Sequence, residues 1–523
     1  MRRKWYLGFG LLVLVIFLLF VMLHDVRWFI AFFVPIIALG FYDVLQTKRT
    51  ILRNFPILGH FRYLLEFFRP EIQQYFIATD IEERPFSRDT RSLIYQRAKN
   101  VRDTVPFGTD KNLYEIGYTW VLHSLAPKPG VEVQQRIVVG GPLCTQPYSA
   151  SRLNISGMSF GALSARAIMA MNEGAKIGGF AQNTGEGGLS IYHLRGGDIV
   201  FQIGTAYFGC RDEQGHFSVT EFQIEASRCE VKMIEIKLSQ GAKPSHGGVL
   251  PAAKLTPEIA LVRKVPLGDD VLSPLAHTAF HTPRELLLFI QQLRELSGGK
   301  PVGFKLCLGQ RSEFLGICKA MLETKLFPDF ITVDGAEGGT GAAPLEYADH
   351  VGEPLEAALV FVHNALVGIG VRDKIKIICS GKIATGFDMI VHIALGADIC
   401  NTARAMMMAT GCVQSKQCNA NTCPTGVATQ NERLQQGLVV EDKKQRIANY
   451  HRNTMHSFSE LIGSMGLTDP NALIPEYIMR RIATDQVKPL SEIYYYLQPS
   501  QLLGRHIPES FKRHWELADP DRF

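Results

Sequence analysis

Eight times between residues 153 and 400 a short apolar run breaks into a glycine-rich or polar loop, and helical spacing fills most of the intervals. The runs are Leu153–Ile155, Gly179–Ala181, Ile199–Ile203, Met233–Ile236, Val302–Leu306, Phe330–Val333, Ile375–Ile378 and Ala397–Cys400. Strands that alternate with helices pair in parallel through crossovers. Eight such units in roughly 250 residues predict a closed (β/α)8 TIM barrel, an α/β fold whose active site lies at the carboxyl ends of the strands. An open doubly wound sheet is the competing arrangement. One connection breaks the rhythm: about 65 residues separate the fourth run from the fifth. Loops that long in compact domains are functional or disordered, and this one is too patterned for disorder.

The first 45 residues differ in kind. Trp5 to Leu23 is nineteen residues without charge, and Trp28 to Tyr42 fifteen more, separated by His24–Arg27. The first stretch is long enough to span a bilayer. Arg2, Arg3 and Lys4 precede it, and Lys48, Arg49 and Arg53 follow the second. Cations at both ends predict an N-terminal transmembrane helical hairpin over 1–45 with both termini cytoplasmic, at the inner membrane with the catalytic domain in the cytoplasm. One span plus an interfacial segment is the alternative. Residues 46–130 then read as a juxtamembrane collar, 131–435 as the barrel and 436–523 as a helical C-terminal extension. A chain of 523 residues, 46% apolar and 20% charged, builds a large core. A net charge of +5 without a run of six basic residues gives no footing for nucleic acid. Seven of the ten cysteines (Cys144, Cys210, Cys229, Cys307, Cys318, Cys379 and Cys400) stand alone in apolar or helical surroundings. They read as reduced core residues.

The loops after the runs carry the chemistry. Ser156 to Ser164 is small enough for backbone to approach a ligand, and Ser164 can cap the next helix. Gln182-Asn183-Thr184-Gly185-Glu186-Gly187-Gly188 sets a carboxylate among glycines, where a planar ligand could lie close; an ordinary turn reads the same. Lys305, at the end of the fifth run, needs a partner in a barrel mouth: the edge of a reduced flavin, or a structural carboxylate. Asp334 to Gly341 and Ser380 to Gly386 follow the sixth and seventh runs, where barrels hold phosphate on backbone N–H groups. No Walker sequence is present, which favours a cofactor's phosphate over a transferred one. The long fourth connection carries Lys237, Lys243, Gly247, Gly248 and Arg263, cations beside glycines that suit a small dianion. Cys412, Cys418 and Cys423 have the spacing C-x5-C-x4-C, without the paired knuckles of a zinc ribbon. An iron–sulfur cluster, zinc with a histidine as fourth ligand, and unliganded core thiols are all open to that spacing. His451 and His456 have no cysteine or carboxylate at ligand spacing and read as structural.

Taken together, Met158–Ser164, Asn183–Gly188, Lys237 with Gln240–Pro244, Gly338–Ala342 and Cys412–Gln430 resemble the FMN-binding synthase domain of glutamate synthase, in family order over residues 145–435. The resemblance implies a barrel that binds FMN, with a 3Fe-4S cluster on Cys412, Cys418 and Cys423. It implies cofactor contacts at Met158, Ser159, Gly161, Asn183, Gln202, Lys305, Gly339, Gly341, Gly381, Lys382, Thr402 and Arg404. It further implies 2-oxoglutarate bound through Lys237, Lys243 and Arg263 beside Glu186, with Glu186, Lys243 and Lys305 as the catalytic set. The expected reaction reduces the imine of 2-oxoglutarate and ammonia to L-glutamate, with electrons from ferredoxin or a partner subunit.

The sequence departs from the pattern at Val249, where the family's substrate loop has glutamine after Gly247-Gly248. Turnover of another 2-oxo or amino acid, or a membrane-held electron-transfer subunit without turnover, are the alternatives this leaves. The chain begins Met1-Arg2-Arg3-Lys4, without the catalytic cysteine of a fused glutaminase, so ammonia is expected free or from a partner. No Gly-x-Gly-x-x-Gly opens a βαβ unit, so NADPH has no evident site.

Overall fold

The computed structural model describes residues 11, 14, 15, 18, 26–101, 103–130 and 136–523. The chain divides into two compact units, Met1–Arg88 and Asp89–Phe523.

The first unit is helical: Val26–Leu45, Thr50–Asn54 and Leu58–Ile72, the last continued by the π turn Gln73–Ile77. Most of the expected first span lies outside the described residues. The expected second span falls within Val26–Leu45, which contains Pro35. Its uncharged part is bounded by Arg27 and Asp43 and at 1.5 Å per residue extends about 22 Å, short of the roughly 30 Å of a bilayer core. Among the described residues no helix is long and apolar enough to cross a membrane, so the transmembrane hairpin finds no support there.

The second unit holds the barrel. Its strands are β1 Leu153–Ile155, β2 Ala181–Asn183, β3 Asp198–Ile203, β4 Val231–Lys237, β5 Val302–Leu306, β6 Phe330–Asp334, β7 Lys376–Ser380 and β8 Ile399–Thr402. They close in sequence order, all parallel, with β8 pairing β1 through Thr402 and Ile155. All eight expected runs are barrel strands. The second starts two residues late because Gly179, at φ +66°, is the left-handed cap of helix Ala165–Gly178. Ser164 caps the other end of that helix, accepting from Ala167 N at 3.2 Å. Between β2 and β3 the regular element is a single 3-10 turn, Gly185–Gly187, in place of a helix. On the eighth side the helix after β8 is short, Arg404–Thr410. The outer ring is completed there by Val440–Ser464, which packs on that helix, on Ala165–Gly178 and on Gly386–Ala394.

The hairpin Arg136–Val139/Tyr148–Ser151 plugs the amino-terminal end of the barrel. Its Val139, Tyr148 and Ala150 pack on Ala181, Val200, Met233, Phe330, Ile378 and Ile399. That end is an apolar floor, and the polar strand ends are left to the opposite mouth. His451 belongs to the packing beneath: its Nε2 lies 3.0 Å from Ser151 Oγ and 3.1 Å from Leu153 O, and the ring stacks on Phe180. His456 is exposed and lies 3.3 Å from Glu460 four residues on, a carboxylate at helical spacing that the sequence reading passed over. Residues 436–523 are not wholly helical: Ile478–Arg481 and Val487–Pro489 form an antiparallel sheet with Thr119–Val121. The ten cysteines are all free, but Cys229 is exposed and Cys144 half-buried, so only five of the seven isolated ones are core residues.

Candidate active site at the barrel mouth

At the centre of the mouth stands a carboxylate that sequence reasoning missed. Glu235 on β4 is 1% exposed. It accepts hydrogen bonds from Asn183 Nδ2 at 2.7 Å, Gln202 Nε2 at 2.6 Å and Thr332 Oγ1 at 2.6 Å. A lone carboxylate inside an otherwise buried strand, in register with Gln202 of β3, was the available signal: barrel interiors admit a charge only with partners. Lys305 on β5 is paired with Lys237 of β4 in the ladder, and its Nζ lies 3.4 Å from Asp334 Oδ2. Burial works against the ammonium, but Asp334 and Glu235 outweigh it and hold Lys305 above its ordinary range. Asp334 also accepts from Gly241 N at 2.8 Å and from the Ser380 hydroxyl. Lys305 thus has the structural carboxylate that a buried cation requires, and still stands in the mouth.

The four residues expected to hold a dianion converge. Glu186 Oε1 lies 2.8 Å from Lys237 Nζ. Burial pushes the Glu186 carboxyl up, but Lys237, Lys243 and Arg263 together bring it below the usual carboxylate range. Lys243 is pulled down to about 8, chiefly by burial, with Glu186 opposing and Lys237 adding repulsion. Burial likewise lowers Arg263, to about 10, against Glu186. Arg263 donates from Nη2 to Phe160 O at 3.1 Å and lies over the Phe208 ring, while its buried Nε has no protein acceptor. Glu186, Lys237 and Lys243 line one cleft together with Thr205, Gln240 and Ser245, and Arg263 reaches the Glu186 carboxylate through its charge.

The long fourth connection brings these groups in. Thr256 caps helix Pro257–Arg263, whose last residue is the arginine. Gly248 passes so close that a Cβ there would stand 2.6 Å from Glu186 Oε1. Val249 pairs with Leu272 in a short antiparallel ladder, Val249–Leu250 against Val271–Leu272. The root of the connection is fixed by His277, whose Nε2 meets Lys237 O at 2.9 Å and whose Nδ1 lies 3.1 Å from Tyr207 OH. Burial lowers His277 to about 4, so it is neutral at pH 7.

The loops after β1 and β2 are fitted to one another. A Cβ on Gly185, at φ +64°, would lie 2.6 Å from Ser159 N, and one on Gly187 would lie 2.7 Å from Ser159 Cβ. Met158, Ser159, Gly161 and Asn183 therefore gather beside Glu186, with Gly161 against Arg263. The loops after β6, β7 and β8 gather the others. Arg404 donates from Nη2 to Glu337 O at 2.5 Å, and Gly339 lies against its side chain. Gly341 faces open space, and Gly381 and Lys382 turn the chain at φ +146° and +52°. Thr402 donates to Ile383 O at 2.6 Å, bracing the loop after β7.

Cys412, Cys418 and Cys423 lie near enough for their charges to interact. Among the described residues no three His, Cys, Asp or Glu side chains converge on the position of a single metal ion. Burial raises Cys412 to about 11 and raises Cys418 as well. Cys423 goes the other way: burial opposes it, but the Thr425 hydroxyl and the N–H groups of Ala428, Thr425 and Val427 hold its thiol below the ordinary value. Beside them is a cation missed by the sequence reading. Lys254 is 2% exposed and donates to the carbonyls of Ala162, at 2.5 Å, Cys418, at 3.2 Å, and Ala428, at 3.3 Å. It ties the loop after β1 to the cysteine loop.

Comparison with known proteins identifies relatives of the chain. The conserved region in glutamate synthase matches residues 132–468. A glutamate synthase large subunit-like protein, YerD, of Bacillus subtilis is 37% identical over 502 residues, 86% of this chain and 95% of its own length. The archaeal glutamate synthase [NADPH] of Methanocaldococcus jannaschii is 35% identical over 61% of this chain and 60% of its own. Ferredoxin-dependent glutamate synthase 2 of Synechocystis is 33% identical over 54% of this chain but only 19% of its own. The chain belongs to the glutamate synthase family of oxidoreductases.

Proposed function

We propose that the barrel mouth binds FMN and reduces the imine formed from 2-oxoglutarate and ammonia to L-glutamate, with a 3Fe-4S cluster on Cys412, Cys418 and Cys423. The observation that carries the reading is the charge about Glu186: this one carboxylate pairs with Lys237 and lies in the field of Lys243 and Arg263. The excess of two positive charges matches a dicarboxylate.

The residues present fit the flavin. Glycines keep side chains out of the loops after β1 and β2, Asn183, Gln202 and Lys305 offer donors at the centre, and the open backbone at Gly341, with Gly339 against Arg404 and the turn at Gly381 and Lys382, suits a phosphate. They fit a cluster too, since hydrogen bonds to sulfur of the kind made to Cys423 favour a ligating thiolate. When bound, FMN supplies the hydride chemistry and the cluster one-electron delivery. The protein's part is to bind and orient. Arg263 and Lys243 would hold the two carboxylates of the oxo acid. Glu186, ionised and held by Lys237, would accept a hydrogen bond from the imine nitrogen and set its face. Lys305, charged across the neutral range, would stand beside the part of the flavin that becomes anionic on reduction. Electrons would come from ferredoxin or a partner subunit.

A second reading keeps the cofactors and changes the acid. Val249, in the ladder that borders Gly248, brings no polar side-chain atom to the substrate loop.

The deciding experiment is anaerobic purification followed by absorption and electron paramagnetic resonance spectroscopy, before and after adding 2-oxoglutarate and ammonia. A flavin spectrum that 2-oxoglutarate perturbs, with glutamate formed on supply of reduced ferredoxin, is expected. Absence of flavin, or a flavin that reduced ferredoxin cannot reduce, would overturn the proposal. Turnover with a different oxo acid would select the second reading.

A further inference from the structure

The unit Met1–Arg88 carries a surface that the chemistry of the barrel does not use. Helix Leu58–Ile72 and the π turn that continues it place Phe61, Leu64, Leu65, Phe68, Ile72 and Phe76 at the three- and four-residue spacings that line one helix face. All six are exposed, from 38% at Ile72 to 84% at Phe76. Arg62, Glu66, Arg69 and Gln73 flank the stripe on one side, and Phe67, also exposed, stands on the far face. An exposed apolar stripe of this length marks a place where an apolar partner lies.

What covers it follows from its surroundings. Between residues 46 and 77 five basic residues stand against two acidic ones, and Lys48, Arg49 and Arg53 cluster just before the helix. That balance suits anionic headgroups. The preceding helix Val26–Leu45 exposes Phe32, Val34, Leu39, Phe41 and Leu45 as well, so both helices present apolar side chains. The junction between the two helices is built. Asp43, fully buried in the last turn of Val26–Leu45, accepts from Ile57 N at 2.9 Å and pairs with His60 Nε2 at 2.9 Å. This buried carboxylate sets one helix at a defined angle to the other, as a protein resting on a surface needs.

We propose that this unit docks the enzyme on an anionic bilayer, with Leu58–Ile77 lying in the headgroup plane and its phenylalanine and leucine face turned into the acyl boundary. The mode is lying on the membrane, and it goes beyond the chemistry proposed for the barrel without depending on it.

The test uses the full chain, cosedimented with extruded vesicles of phosphatidylcholine alone and of phosphatidylcholine with phosphatidylglycerol. Binding to the anionic vesicles is expected, weakened by salt, with the double variant Leu64→Asp, Phe68→Asp losing about tenfold or more in partitioning. Both positions are exposed, so the variant keeps its fold, which circular dichroism checks. Phe68→Trp gives a second reading: fluorescence above that of the four native tryptophans should be quenched by phospholipid brominated near the top of the acyl chain. Undiminished binding of the double variant, no quenching at position 68, or equal binding to neutral vesicles would overturn the proposal. So would a dimer in lipid-free solution that the double variant dissociates, which would assign the face to a second copy of the chain.

Discussion

Glu186, in the loop after β2, and Lys237, the last residue of β4, meet at 2.8 Å, and this contact governs the charge of the cleft. The carboxylate is the nearest counter-charge to Lys237, and it also acts on Lys243 and Arg263. Neutralising it removes the counter-charge that three cations share and leaves Lys237 repelling Lys243, which favours an anionic ligand and disfavours the empty site.

Glu186→Gln is therefore expected to separate binding from turnover. The affinity for 2-oxoglutarate stays level or rises, because the net positive charge of the cleft grows by one. Turnover falls by about 10²-fold, the scale of a lost orienting or proton-transfer group. Titration of the flavin spectrum with the oxo acid, set beside steady-state rates, measures both. Equal losses in the two would remove Glu186 from the reacting end of the substrate.

Lys243 gives the cleft a pH dependence. With its proton lost at about 8, the cation that an anionic ligand requires is present below that pH and disappears above it. Oxo-acid affinity should be flat up to about pH 8 and fall beyond, while the ligand's own charge is constant. Lys243→Arg should move the fall to higher pH, because a guanidinium holds its proton. Affinity measured from pH 6.5 to 10 for both proteins checks this.

The packing of the first two loops leaves no room for a side chain at Gly185. An alanine there would be held at φ +64° with its Cβ 2.6 Å from Ser159 N. Gly185→Ala should lower stability by about 1–3 kcal/mol and purify with little bound flavin, since relief of the clash must move the Met158–Ser159 backbone. Flavin content and thermal unfolding measured on one preparation distinguish loss of the loop from loss of the fold. Gly309→Ala, in open space, is the control.

The barrel was legible in the sequence because each strand is a short apolar run stopped by glycines or polar residues. That pattern places strand ends, and with them Lys305 and Lys237, to within a residue or two. It could not show which residues face inward at the mouth: Glu235 sits one layer below Lys237, and only closure of the barrel brings Asn183, Gln202 and Thr332 around it. Lys254 was invisible for a similar reason, since its partners at Ala162, Cys418 and Ala428 come from distant segments. In the first unit, counting uncharged residues favoured spans, while the face of Leu58–Ile77 depends on angle around a helix. Mixed charges and aromatics hide that angle in a linear reading.

Lys305 offers a stability test. Removing one partner of a buried pair costs about 3–5 kcal/mol, and Lys305→Met leaves Asp334 and Glu235 without their cation. Its folded pKa lies above the ordinary value near 10.4, so its stabilising effect is complete below that pH and is lost only as pH rises through the folded value. The loss in the variant should accordingly be the same at pH 6 and pH 9, as read by urea unfolding. Lys305→Arg restores the charge and should recover part of it.

The cysteine loop predicts its own metal content. Cys423 is the thiol whose surroundings favour ionisation, and Cys412 and Cys418, raised by burial, would need a bound metal to deprotonate at neutral pH. Cys423→Ser, purified anaerobically, should contain almost no iron or acid-labile sulfide, while Cys229→Ser, altered at an exposed thiol, should keep the full complement. Metal and sulfide analysis of both proteins beside the unaltered one decides the matter. Zinc in place of iron, or sulfide retained after loss of Cys423, would remove the cluster from the scheme and leave the flavin site standing alone.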